Sequence, residues 1–201
     1  MKVLVACEES QQVCKAFRKK GHEAYSCDLQ EESGGHPEWH IKGDAVEAMR
    51  SQQWDIVIAH PPCTRLANSG VRWLHKRDLW EDLRKHANFF NEFVTYGREG
   101  HKIAIENPIM HNYARAIIPD GYSQIIQPYQ FGHTERKATC LWLYGLPKLK
   151  ETHNVYAQMM LLPKKESQRI VFGSLGKDRA KIRSKTYQGI AEAMADQWGS
   201  V

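Results

Sequence analysis

Apolar and polar positions divide the chain into short alternating blocks. Residues 2–7 open it with the run Val3-Leu4-Val5-Ala6-Cys7, which predicts a strand buried on both faces. Residues 10–20 change to helical spacing, with Val13, Ala16 and Phe17 on one face and Gly21 at the C-cap. Residues 23–29 read as a second strand. Strand, helix and strand in this order predict a βαβ unit.

The pattern continues in the same sense. Residues 30–40 are polar and carry Gly34-Gly35 and Pro37, so they read as a loop. Gly43-Asp44 precede a short helix over 45–51. Residues 54–59 (WDIVIA) predict a third buried strand, ended by Pro61-Pro62. Residues 79–96 predict a long amphipathic helix, with Leu79, Leu83, Phe90 and Val94 toward the core. Residues 102–106 predict a fourth strand, stopped by Asn107-Pro108. Residues 123–128 and 139–143 read as later strands, the last ending near Gly145. This alternation predicts an α/β fold with a doubly wound, mostly parallel sheet. Ligands of such sheets sit beyond the carboxyl ends of the strands. Those ends carry Cys7-Glu8, Asp28, His60-Pro61-Pro62-Cys63 and Glu106-Asn107-Pro108.

Residues 146–183 differ in character. Lys148, Lys150, Lys164, Lys165, Arg169, Lys177, Arg179, Lys181 and Arg183 stand there against Glu151, Glu166 and Asp178. They read as a basic, loop-rich appendage. Residues 186–198 return to helical spacing, with Ile190, Ala191, Met194 and Trp198 on one face. The expected organisation is a core over 1–145, the appendage over 146–183, and a C-terminal helix over 184–201 that packs back on the core.

Composition adds few constraints. A chain of 201 residues with 42% hydrophobic and 25% charged positions suits one globular domain. The net charge of +5 suits a polyanionic partner, although many ordinary enzymes share it. The apolar start is too short for a signal segment or a membrane span, so a cytoplasmic protein is expected. The five cysteines are odd in number, scattered and without a C-x-x-C pair, which argues against disulfides and zinc. The ten histidines show no metal-ligand spacing; His60 and His133 read as surface or satisfied core residues. No metal is expected.

Two strand ends could carry chemistry. Pro61-Pro62 restrict the backbone and hold the next side chain, Cys63, at a fixed spot on the sheet edge. A thiol there is a candidate nucleophile if neighbours stabilise its thiolate; a structural turn is the alternative. Glu106 ends an apolar strand, where desolvation should raise its pKa and let it give or take a proton. An ion pair or a cap contact explains it equally. Asp28 suits a ribose hydroxyl, and Asp44 suits either an adenine amino group or the N-cap of the next helix. The first turn, residues 7–12, has no glycine, so a diphosphate is disfavoured. Glu8 or Glu9 could meet a cation there, or simply suit the helix dipole.

Pro61-Pro62-Cys63 followed by Glu106-Asn107 resembles the DNA cytosine-C5 methyltransferases, with Glu-Asn-Pro here for the family's Glu-Asn-Val. Asp28 and Asp44 fit the family's acidic positions. Residues 131–139 line up with its Tyr-Gly-Val-Pro-Gln-x-Arg-x-Arg segment, and residues 184–199 resemble its final motif and helix. The wording as a whole is similar to small phage- and prophage-borne members. The resemblance implies a Rossmann-like S-adenosylmethionine-dependent methyltransferase fold, that cofactor, a DNA partner and, for a phage protein, the host cytoplasm. It implies catalytic roles for Cys63, Glu106 and Lys137, and cofactor contacts from Cys7, Glu8, Ser10, Asp28, Asp44, Pro61 and Thr186. The basic positions Arg65, Arg72, Lys76, Arg77, Lys137, Lys164, Lys165, Arg169, Lys177, Arg179, Lys181 and Arg183 could grip nucleic-acid phosphates, with a solvated charged face as the alternative reading.

Three departures matter. The glycine-rich first motif is absent. The family's glutamine and two arginines become Glu135, Lys137 and Thr139. The target-recognition domain is missing or reduced to 146–183, so a homodimer or an accessory protein stays open. Competing expectations are methylation of a free nucleotide or RNA, an amino-methyltransferase, and a non-catalytic DNA-binding module. The amino-methyltransferases use Asp/Asn-Pro-Pro-Tyr where this chain has His60-Pro61-Pro62-Cys63.

Overall fold

The computed structural model describes residues 1–168 and 183–201. Seven strands form one sheet: β1 (Lys2–Ala6), β2 (Glu23–Asp28), β3 (His40–Lys42), β4 (Ile56–Ala59), β5 (Ile103–Pro108), β6 (Gln124–Ile126) and β7 (Thr139–Tyr144). Their order across the sheet is β3-β2-β1-β4-β5-β7-β6. Neighbours from β3 to β5 pair in parallel, and β7 runs antiparallel to both β5 and β6. This is the doubly wound, mostly parallel sheet that the alternation predicts. The order reverses between β1 and β4, which opens a crevice beyond their carboxyl ends.

Among the described residues the helices are α1 (Gln12–Lys19), α2 (Ala45–Arg50), α3 (Val71–Arg77), α4 (Trp80–Arg98), α5 (Asn112–Ile117), α6 (Tyr156–Met160), α7 (Lys164–Ser167) and α8 (Gln188–Trp198). Successive strand residues face opposite sides, and each side has its own core. Leu4, Ala6, Val57, Ala59, Ile103 and Ile105 pack against Met49 of α2, Leu83 and Phe90 of α4, and Ala114 of α5. Val3, Val5, Ile56, Ile58 and Ala104 pack against Val13 and Phe17 of α1 and Ile190, Met194 and Trp198 of α8. The central strands are therefore apolar in both registers. Of the apolar face expected on the long helix, Leu83, Phe90 and Val94 are buried and Leu79 is partly buried.

Several local expectations need correction. The segment 30–40 is not all loop, because a 3-10 turn over Pro37–Trp39 leads into β3, whose His40 pairs with Ser26. Helices α3 and α5 bury only Leu74 and Ala114, too little to impose an apolar period on the sequence. The described part of 146–183 holds α6 and α7 and buries Leu149, Val155 and Met159. No described helix is long and apolar enough to cross a membrane.

Helix α8 closes one face. Trp198 is fully buried, and its indole Nε1 donates to the Pro147 carbonyl at 3.0 Å. Trp198→Ala leaves a cavity beneath α1 and should lower stability by about 3–5 kcal/mol. Urea denaturation should show a lower midpoint at unchanged slope.

Candidate active site

The strand ends meet at the crevice, and backbone bonds fix their relative positions. His60 N donates to the Ala6 carbonyl at 2.9 Å, which continues the β1–β4 pairing past the last strand residue. Ala59 pairs with Ile105, so Cys63 and Glu106 leave adjacent strands. Asn107, fully buried, donates through Nδ2 to the Pro61 carbonyl at 2.8 Å. This bond ties the Glu106-Asn107 end to the Pro61-Pro62-Cys63 turn. Both residues singled out for chemistry thus stand at one edge, close enough for the Glu106 charge to act on the Cys63 sulfur.

Burial pushes the Cys63 thiol up, and the Glu106 carboxylate adds to that; Lys137 and Arg183 oppose it. The thiol is therefore the resting form. For Glu106 burial again pushes upward, but His60, Lys137 and Thr139 pull harder, so its carboxyl lies below the ordinary glutamate range. The expectation that desolvation would raise it is corrected. Cationic and hydroxyl neighbours outweigh burial. Lys137 reaches this edge from the loop before β7, and its Nζ donates to the Arg183 carbonyl at 2.8 Å. That bond brings the start of the C-terminal segment to the site.

His60 is the functional candidate that the sequence underrated. Its side chain is 9% exposed, and Nδ1 stands 3.5 Å from Glu106 Oε2, an ion-pair distance. Neither ring nitrogen makes a hydrogen bond among the described residues. It is neither a surface histidine nor a satisfied core histidine. Its position directly before Pro61-Pro62-Cys63 was the available signal.

The first turn is shaped as though it held glycines. Cys7 and Gln11 adopt φ of 59° and 57°, left-handed values that cost an ordinary residue about 1–2 kcal/mol. Gln11 is held there by its side chain, whose Nε2 donates to the His36 carbonyl at 2.8 Å while Oε1 accepts from His36 N at 3.1 Å. Glu8 does not face outward to a cation, which corrects that expectation. Its carboxylate is buried and accepts from Val13 N at 2.7 Å and Cys14 N at 3.2 Å, capping α1 from within. Ser10 is buried in the same turn. Asp44 caps α2, its Oδ1 accepting from Val46 N at 2.8 Å and Glu47 N at 3.0 Å, so the capping alternative holds. Asp28 Oδ1 accepts from Gln30 N at 2.9 Å. Cys7 lies near both acids, and burial together with their charges pushes its thiol up. Pro61 is buried and Thr186 half-buried ahead of α8.

The basic residues separate into two groups. Arg72, Lys76 and Arg77 are exposed on α3 and surround Trp73, with the two guanidinium carbons each 4.6 Å from its ring centroid. Lys164 and Lys165 are exposed on α7. Arg65 instead pairs with Asp82 at 3.4 Å, which leaves its charge largely answered within the fold. Arg169, Lys177, Arg179 and Lys181 lie outside the described residues. Glu135, which stands where the resembled family has glutamine, is buried and accepts from Tyr187 Oη at 2.8 Å. Among the described residues no group of three or more His, Cys, Asp or Glu could hold a metal ion.

No family model and no curated protein matches the chain. Among solved structures, its fold is similar to that of the methyltransferase EhMeth of Entamoeba histolytica, with a TM-score of 0.47 and 14% identity. The match covers 77% of this chain and 57% of EhMeth, so the chain spans little more than half of that protein's length.

Glu106 also sets a pH dependence of stability. Its folded value is depressed, so its contribution is complete above the ordinary value of 4.5 and is lost as pH falls through the folded value. Glu106→Gln should therefore lose less stability on acidification than the wild type. Denaturation midpoints at about pH 7 and about pH 3 measure that difference.

Proposed function

We propose that the chain is an S-adenosylmethionine-dependent methyltransferase acting on C5 of cytosine in DNA through a covalent Cys63 adduct. The observation that carries this is the buried Asn107–Pro61 bond, which holds Cys63 and Glu106 at one strand edge. A nucleophile beside an acid is the pair needed to add to C6 of a pyrimidine while charge builds at N3.

The donor set suits the cofactor. Asp28 and Asp44 each use only Oδ1 toward backbone amides among the described residues, which leaves one carboxylate oxygen of each for hydroxyl or amino donors. The left-handed turn at Cys7 brings backbone into the same corner. These residues, with Pro61, Ser10 and Thr186, would hold the cofactor, which would supply an electrophilic methyl carbon when bound. Glu8 contributes indirectly, by fixing the turn.

The remaining steps belong to the chain's own groups. The Cys63 thiol gives its proton to water as its sulfur adds to C6, Glu106 faces N3, and Cys63 is expelled when water takes the C5 proton. Lys137 offsets negative charge at both Cys63 and Glu106. A duplex cytosine must leave the stack to reach such an edge. Arg72, Lys76 and Arg77 around Trp73, together with Lys164, Lys165 and the basic positions of 169–183, would grip phosphates. In this reading 1–145 is the catalytic core and 146–183 a reduced recognition region.

The test is nucleoside mass spectrometry on DNA from cells that lack cytosine-C5 methylation and express the wild type or Cys63→Ala. 5-Methylcytosine should appear with the wild type alone. Cys63→Ser should likewise lose turnover yet bind cofactor normally by calorimetry. Full activity of the serine variant would remove the nucleophile assignment. If DNA stays unmodified, parallel assays on RNA and on free cytidine nucleotides decide whether the substrate is wrong or the chain is a non-catalytic module.

A further inference from the structure

We propose that His60 is a positioning residue that shares a proton with Glu106 and delivers it to that carboxylate when the site must act as an acid. This inference rests on the cytosine chemistry proposed above. It starts from a mismatch in the site. The resting Glu106 is held as a carboxylate, and a carboxylate cannot donate a proton to N3. It also opposes formation of the Cys63 thiolate beside it. Both difficulties disappear if a proton reaches Glu106 as the sulfur adds.

The groups around Glu106 narrow the source. Lys137 acts on it from the loop before β7, but its ammonium already donates to the Arg183 carbonyl, and lysine releases a proton reluctantly. Thr139, at the start of β7, carries an aliphatic hydroxyl, too weak an acid to release a proton near neutrality. Cys63 and Cys140 are thiols pushed upward, Cys140 to about 11. His60 remains. Imidazole is the side chain that exchanges protons near neutrality. Its Nδ1 stands 3.5 Å from Glu106 Oε2, its side chain is 9% exposed, and both ring nitrogens lack a hydrogen bond among the described residues. Glu8, fixed by the α1 amides, lies within electrostatic reach on the β1 side. The imidazole thus sits between the Glu106 carboxylate and the buried Glu8 side chain.

The transfer balances. The Cys63 S–H bond breaks, its proton passing to water, as the sulfur–C6 bond forms; the Nδ1–H bond breaks as the Oε2–H bond forms, and the carboxyl group passes a proton to N3. His60 is left neutral and Glu106 ionised. Expulsion of Cys63 returns the proton along the same path. His60 touches no reacting atom and works through Glu106.

Two measurements on the full chain test this. The first is a carboxyl-carbon NMR titration with labelled glutamate, in which the Glu106 signal is assigned by its loss in Glu106→Gln. In His60→Asn the Glu106 midpoint should move to higher pH, because a neighbour that lowers it is gone. The second is the pH profile of cytosine methylation. His60→Asn should reduce kcat by about 10²-fold while cofactor KM stays near wild type. The profile should also lose the limb that reports the proton donor. His60→Gln provides the same readings if the asparagine variant does not fold. A Glu106 midpoint that stays in place, or a kcat that stays at wild type, overturns the inference. If the wild type methylates no cytosine, the function proposed above fails, and the NMR titration still decides whether His60 sets the Glu106 midpoint.

Discussion

The buried hydrogen bond from Asn107 to the Pro61 carbonyl is the constraint on which the rest of the site depends. Parallel pairing of β4 and β5 sets the strands side by side, but pairing ends at Ala59 and Ile105. Beyond that point the chain is free to diverge. Two prolines limit what the β4 end can do, and the Asn107 amide fixes where that end lies relative to Glu106. Since Asn107 is wholly buried, breaking the bond would strand a polar group away from water, at a cost of about 1–3 kcal/mol. The relative placement of the two strand ends is thus set by backbone pairing together with one buried side-chain amide.

The first turn reaches a glycine-like shape by different means. Left-handed backbone at Cys7 and Gln11 is normally the province of glycine. Here the cost is offset by side-chain bonds: Gln11 to the His36 backbone, and Glu8 to the α1 amides. The arrangement also closes the first turn to solvent, with Glu8, Glu9, Ser10 and Gln11 all buried. Acids that look like surface groups in the sequence become structural struts.

The contrast between what the sequence discloses and what it hides follows from where the information lies. β1 and β4 are legible because a strand covered on both faces is a continuous apolar run, and α1, α4 and α8 because each lays an apolar stripe on a core. β3, only His40–Lys42, carries no such run and is recognisable only through its pairing with β2. At the site, the placement of Cys63 and Glu106 at the ends of neighbouring strands is legible. The state of Glu106 is not, because His60, Lys137 and Thr139, which set it, come from distant parts of the chain. Asp44 shows the converse: its local capping role is written in the two residues that follow it.

Helix α8 is also a matter of timing. The sheet face made by Val3, Val5, Ile56 and Ile58 is covered by α1 and α8, which lie at opposite ends of the sequence. During synthesis the central strands emerge long before α8 does, so half of that face stays open to water while translation continues. The nascent sheet is accordingly at risk of wrong associations until α8 has emerged and docked. The same event carries Arg183 and Tyr187 to Lys137 and Glu135. Docking of α8 therefore completes the Cys63–Glu106 edge and covers the apolar face in one stroke.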